Sequence, residues 1–289
     1  MNIFDRRELI LAGLASGFLG TTALAQPQTP PSLQQLEEQL GGRIGLAALD
    51  TGSGKSLSWR AGERFVMCSS YKWVLGAAIL TKVDRGQLTL DHQIYYSPEV
   101  LLDYSPITRL HVNDGRMSVV ELCGAAVEFS DNTAANLLLA LAGGPPGFTQ
   151  YLREIGDTAT RLDRNEPSLN TNIPGDERDT TTPGTMLQNM NKILVKDALS
   201  SPSRDKLLDW MRKSQTGIKR LHAGLPPDWV EGDKTGTGAN GAAVDNAIIW
   251  PPNRAPIMVA AYLSGSIKSS NDLDAAHAKV GQIISTMFA

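Results

Sequence analysis

The chain has 289 residues, 42% hydrophobic and 20% charged, a globular composition with enough apolar material for one or two cored domains, which argues against a disordered protein. Lys plus Arg number 27 against 30 Asp plus Glu, a net charge of −3, so nothing marks a nucleic-acid or anionic-membrane partner and small-molecule chemistry is favoured.

Arg6-Arg7 precedes an uncharged stretch from Leu9 to Ala25 that ends in Ala23-Leu24-Ala25, the pattern of a cleavable export signal over residues 1–25. The stretch is rich in Gly, Ala, Ser and Thr and no basic stop-transfer segment follows, so a membrane anchor is the weaker reading. The paired arginines suit a twin-arginine route, although Asp5 and Glu8 neutralise them; their joint removal leaves the mature charge at −3. Periplasm or the external medium is therefore the expected location, with no membrane contact in the mature form. Residues 26–32, QPQTPPS, form a Pro-rich leader, and the domain is expected to run over 33–289.

Leu33 to Leu40 has helical spacing, and Arg43 to Asp50 with Leu57 to Arg60 read as two strands of a hairpin around TGSGKS. Gly54-Lys55-Ser56 imitates the end of a phosphate-binding loop, but Leu49 stands where the first glycine belongs and no helix pattern follows. Helical patterns dominate from Tyr71 to about Trp210: Tyr71–Arg85, Ser118–Phe129, Thr133–Ala142 and Gly147–Ile155. Strand patterns return at Val244–Trp250 and Ile257–Leu263, and a last amphipathic helix covers Asn271–Phe288. Strands at both ends of a helical middle predict a mixed α/β fold: a discontinuous α/β half over 33–60 and 213–289, an inserted all-α half over 61–212, and a cleft between them.

Candidate chemistry lies at four places. In Ser69-Ser70-Tyr71-Lys72, residues three apart share a helix face, so Ser69 rather than Ser70 can meet Lys72. Unpaired amides at a helix start favour an oxyanion there, and a buried lysine of lowered pKa can accept the serine proton. Ser130-Asp131-Asn132 are good capping residues; as chemistry, Ser130 can pass a proton to a leaving nitrogen while Asn132 grips substrate. Arg161 to Asp179 is polar and aperiodic with Pro167, Pro174 and Gly175, an Ω-type loop in which Glu166 and Asn170 can hold a water and Arg164 and Asp179 can close the neck. Lys234-Thr235-Gly236, after an edge-strand pattern at Trp229–Asp233, offers a cation and a hydroxyl to an anionic substrate and a glycine for close backbone approach.

Singly, each motif is weak. In this order and spacing, together with Leu162-Asp163-Arg164 and Glu166-Pro167, the set resembles the class A β-lactamases, which carry S-x-x-K, S-D-N and K-T-G motifs; the resemblance runs from about Leu33 to the C-terminus. It implies an antiparallel sheet flanked by helices and a cofactor-free serine enzyme, expected as a monomer, acting on small-molecule β-lactams. Ser69 is then the acylated nucleophile, Lys72 its proton partner, Ser130 the shuttle, and Glu166 with Asn170 the activators of the deacylating water. Lys234, Thr235 and Arg220 hold the substrate carboxylate, Asn132 the side-chain amide, the backbone amides of Ser69 and Thr237 form the oxyanion hole, and Tyr104 lines the entrance. The resemblance also implies a cis Glu166-Pro167 bond and, because Gly76 and Gly238 stand where some members carry partner cysteines, free thiols at Cys68 and Cys123. The four histidines are scattered, so no metal is expected. A D-alanyl-D-alanine peptidase shares the serine and lysine logic but lacks the water-activating loop. A β-lactam sensor needs a transmembrane partner segment, and none is visible after Ala25.

Overall fold

The computed structural model describes residues 31–289, so the expected export signal and nearly all of the leader lie outside the described residues. In chain order the elements begin with α1 (Pro31–Leu40), β1 (Arg43–Asp50), β2 (Ser56–Trp59), β3 (Phe65–Val66) and α2 (Tyr71–Asp84). The middle holds β4 (Gln93–Tyr95), β5 (Arg116–Ser118), α3 (Val119–Glu128), α4 (Asn132–Ala142), α5 (Gly144–Glu154), β6 (Thr180–Thr181), α6 (Pro183–Met190) and α7 (Ser201–Arg212). The chain closes with β7 (Val230–Thr237), β8 (Ala243–Trp250), β9 (Ile257–Ser264) and α8 (Ser270–Phe288).

Five strands form one antiparallel sheet in the order β2-β1-β9-β8-β7, which joins the two ends of the chain. Residues of β9 alternate between two cores, as a period of two requires. Ile257, Val259, Ala261 and Leu263 meet α1 and α8 on one face, while Met258, Ala260 and Tyr262 meet the helical half on the other. Burial of both faces explains why β9 reads as a continuous apolar run rather than as alternation, whereas β8, buried almost as fully, carries the buried polar pair Asp245 and Asn246 within its run.

In the helical half α2 is the axis: every residue from Tyr71 to Thr81 is buried, as expected of a helix apolar all round and surrounded by its neighbours. The expected helices are present with small shifts. Helix α5 starts three residues before the expected Gly147, because Pro145 and Pro146 fit a first turn that needs no donor. Two short ladders, β3–β6 and β4–β5, make this half less purely helical than expected; runs of two or three residues are too short to show a period in sequence. The first ladder pins the neck of the 161–179 loop. The TGSGKS segment is a hairpin turn, with Gly54 donating to the Asp50 carbonyl and Asp50 to that of Lys55.

Candidate active site

Ser69 sits in a single 3-10 turn, Cys68–Ser70, that feeds directly into α2. Cys68 has φ of 45° in the left-handed region, so the chain bends sharply just before the serine. The Ser70 hydroxyl and amide both bind the Met67 carbonyl, at 2.8 and 3.1 Å, which ties Ser70 down and leaves Ser69 as the presented hydroxyl. Ser69 Oγ donates to Glu166 Oε1 at 3.1 Å.

Lys72, one turn along, is fully buried, and its Nζ lies 3.1 Å from that same Glu166 oxygen. It also donates to Asn132 Oδ1 at 2.6 Å and the Ser130 carbonyl at 2.8 Å, and lies 3.5 Å from Ser130 Oγ. The expected meeting of Ser69 and Lys72 thus runs through a shared carboxylate oxygen. Burial lowers the Lys72 pKa, opposed by the charge and hydrogen bond of Glu166.

Ser130, at φ 61°, turns into α4, and its Oγ is also reached by Lys234 Nζ at 3.1 Å. Two buried ammonium groups therefore flank one hydroxyl. The Lys234 pKa is pulled down to about 7, first by burial and then by the charge of Lys72, against the pull of Asp233. Asp131, the middle residue of the motif, holds structure together: it caps α4 through the Ala134 amide at 2.9 Å and accepts the amides of Ile107 and Thr108. Tyr104, just before that segment, is half exposed, and its carbonyl accepts the Asn132 amide at 3.0 Å.

The 161–179 loop is anchored by buried Leu162 and Leu169 and closed at the neck by buried Asp179. Asp179 accepts the amides of Asp163 and Arg164 at 2.7 and 3.0 Å and the Arg164 guanidinium at 2.6 Å, the closure read from sequence. Glu166 precedes a cis proline bond, as expected, and its second oxygen accepts Asn170 Nδ2 at 2.6 Å.

Strand β7 carries Lys234-Thr235-Gly236 inside its span, not after it; the strand is an edge, paired among the described residues only with β8. A Cβ at Gly236 would lie 2.6 Å from the Met67 carbonyl oxygen and 3.0 Å from the Ser70 amide, so only glycine lets the strand lie against the turn that presents Ser69. Thr235 Oγ1 donates to Thr216 at 2.6 Å, and Thr237 is exposed at the strand end. Buried Arg220 donates to the Gly236 and Val244 carbonyls, to Thr237 Oγ1 at 2.7 Å and to Asp274 at 2.9 Å. Cys68 and Cys123 are both buried free thiols, as the resemblance implies.

Three positioning residues were not singled out in the sequence. Asn136 brackets the Glu166 backbone, accepting its amide at 3.0 Å and donating to its carbonyl at 2.9 Å. The signal was there: Asn136 is the lone polar residue in the run after Thr133, four residues from Asn132 and so on the same helix face. Thr216 and Asp274 carry no such signal, because they meet Thr235 and Arg220 only across the fold.

A model of the beta-lactamase enzyme family matches residues 31–288. Beta-lactamase AST-1 of Nocardia asteroides is 45% identical over 285 residues, covering 93% of this chain and 91% of that protein. The carbapenem-hydrolyzing beta-lactamase KPC of Klebsiella oxytoca is 43% identical over 281 residues, covering 96% and 95%. Among solved structures, an ancestral class A beta-lactamase, GNCA, superposes with a TM-score of 0.88 at 52% identity, covering 89% of this chain and 98% of its own. A beta lactamase from Xanthomonas campestris gives 0.87 at 46%, covering 89% and 96%.

Proposed function

The chain belongs to the class A serine β-lactamase family, and on that premise we propose how its own residues divide the chemistry. The enzyme hydrolyses β-lactam antibiotics through a serine acyl-enzyme intermediate and so confers resistance. One observation carries the assignment: a single oxygen, Glu166 Oε1, lies 3.1 Å from both the Ser69 hydroxyl and the Lys72 ammonium.

Lys234 and Thr235, assisted by Arg220, hold the substrate carboxylate; Gly236 gives the strand its close approach, Asn132 binds the side-chain amide and Tyr104 lines the entrance. Ser69 Oγ attacks the lactam carbonyl, its proton passing into the Lys72–Glu166 pair. Negative charge on the carbonyl oxygen is met by the amides of Ser69 and Thr237. The ring C–N bond breaks, and the nitrogen takes the Ser130 proton, which the adjacent lysines replace. Glu166, steadied by Asn170, then takes a proton from a water that attacks the ester, and cleavage returns Ser69 as a free hydroxyl.

The enzyme works as a monomer. It is exported to the periplasm or the medium, a reading supported by Arg6-Arg7 and the uncharged run to Ala25. Purified protein with a chromogenic cephalosporin should give many turnovers per molecule; one turnover would support a peptidase or sensor instead. Intact mass of the exported protein should correspond to a chain beginning at Gln26, and a mass retaining residues 1–25 would refute the cleavage.

A further inference from the structure

The turn that presents Ser69 rests on β7 and β8, and the sheet beneath it carries polar side chains that the chemistry above does not use. Asn246 pairs across β8–β9 with Ala260 and Val244 with Tyr262, so Asn246 and Tyr262 share the sheet face turned towards the helical half. Both are fully buried. Among the described residues, the Asn246 amide group and the Tyr262 hydroxyl make no hydrogen bond of full geometry. Burial raises the phenol's pKa, and the Asn246 amide and the Ser70 hydroxyl lie near enough to oppose that rise. Ser70 Oγ donates its own proton to the Met67 carbonyl at 2.8 Å, so it has lone pairs to offer the phenol but no donor. The phenol is the matching donor. Its ring is packed against Phe65, with centroids 5.8 Å apart.

This placement bears on the oxyanion. The Ser69 amide lies between Cys68, at φ 45°, and Ser70, so whatever fixes Ser70 fixes the aim of that amide. An oxyanion donor works when it is held about 3 Å from the developing charge and has no need to reorganise as that charge appears. Unpaired polar groups in a core cost stability, and leucine and phenylalanine would fill the same space without that cost. We propose that Tyr262 and Asn246 are positioning residues for the Ser69 amide. The phenol donates to Ser70 Oγ, the Asn246 amide donates to the phenol oxygen, and this relay braces the turn against the sheet while negative charge builds on the lactam oxygen. The inference rests on the site assignment above. Neither side chain touches the substrate.

The test uses Tyr262→Phe, Asn246→Leu and the double variant, each also combined with Glu166→Ala so that the ester accumulates. The readouts are kcat/KM for benzylpenicillin and the carbonyl stretch of the accumulated ester, taken by infrared difference spectroscopy. Each single variant should lower kcat/KM about 5- to 10-fold, a fraction of the roughly 10²- to 10³-fold loss that follows removal of an oxyanion donor. The carbonyl band should move to higher frequency, because a misaimed amide polarises the C=O bond less; a defect of packing alone leaves the band in place. Independent effects multiply, whereas two members of one relay do not, so the double variant should lose no more than the larger single. Unchanged kcat/KM in the single variants, an unshifted band, or a double variant whose loss is the product of the singles overturns the proposal. Tyr262→Phe, which removes one oxygen, decides the matter by rate and band if Asn246→Leu fails to fold. Failure of the site assignment is separately visible, as a Glu166→Ala protein with Tyr262 and Asn246 intact that accumulates no ester.

Discussion

The Lys72 ammonium and the Glu166 carboxylate lie 3.1 Å apart with both side chains fully buried. Opposite charges so placed compensate each other's burial, because neither has water to do so. That pairing leaves the Ser69 hydroxyl an acceptor in Glu166, and in the mechanism proposed above it keeps Glu166 poised for the second half-reaction.

Replacing Glu166 by Ala should separate the two steps. Acylation survives in weakened form on Ser69 and Lys72, whereas deacylation loses a general base, a role worth about 10²- to 10⁴-fold. Intact-mass spectrometry should show the protein carrying one whole antibiotic long after the parent has returned to its free mass. Turnover of benzylpenicillin at the parent rate would remove Glu166 from the mechanism.

The adjacent serines should behave oppositely. Ser69→Ala should abolish covalent labelling by a penicillin. Ser70→Ala should keep the label and lose only the buried bond to Met67, at a cost of about 1 kcal/mol in urea unfolding. Full labelling of Ser69→Ala would refute the nucleophile.

With Lys234 in the role proposed above, substrate capture should be sensitive to pH. A lysine is charged below its pKa, and burial brings this one to about 7. Attraction for the substrate carboxylate is therefore greatest below that value, and the KM for penicillins should climb as pH rises through it. Lys234→Arg, which stays charged throughout, should flatten the climb. Asp233→Asn removes a group that raises the Lys234 pKa and should move the climb to lower pH. A parent KM that stays level on either side of neutrality would count against the role.

Asp274 partly neutralises Arg220 across 2.9 Å. Asp274→Asn keeps a hydrogen-bond acceptor but removes the charge, so Arg220 should attract the substrate carboxylate more strongly. KM should fall about 2- to 5-fold, matching a partly exposed charge pair worth about 0.5–1 kcal/mol, with kcat unchanged. A rise in KM would mean that Asp274 acts by orienting Arg220 instead.

Sequence by itself determined the periodic parts and the chemical inventory. The strand pattern at β8, the apolar run at β9, helical spacing through α2 to α5, and the motifs at Ser69, Ser130, Glu166 and Lys234 all lie within short windows, where local sterics and side-chain period leave a legible mark. Tertiary structure alone decided who meets whom. That Ser69 donates to Glu166 rather than to Lys72, that Asn136 grips the Glu166 backbone and that Asn172 clasps Asn240 are contacts between segments 30 to 97 residues apart. Such contacts follow from how two cores pack on either face of one sheet, and no local period records them. The ladders β3–β6 and β4–β5 stayed hidden for a related reason: each strand is two or three residues long and exists only because its partner is delivered from elsewhere in the chain.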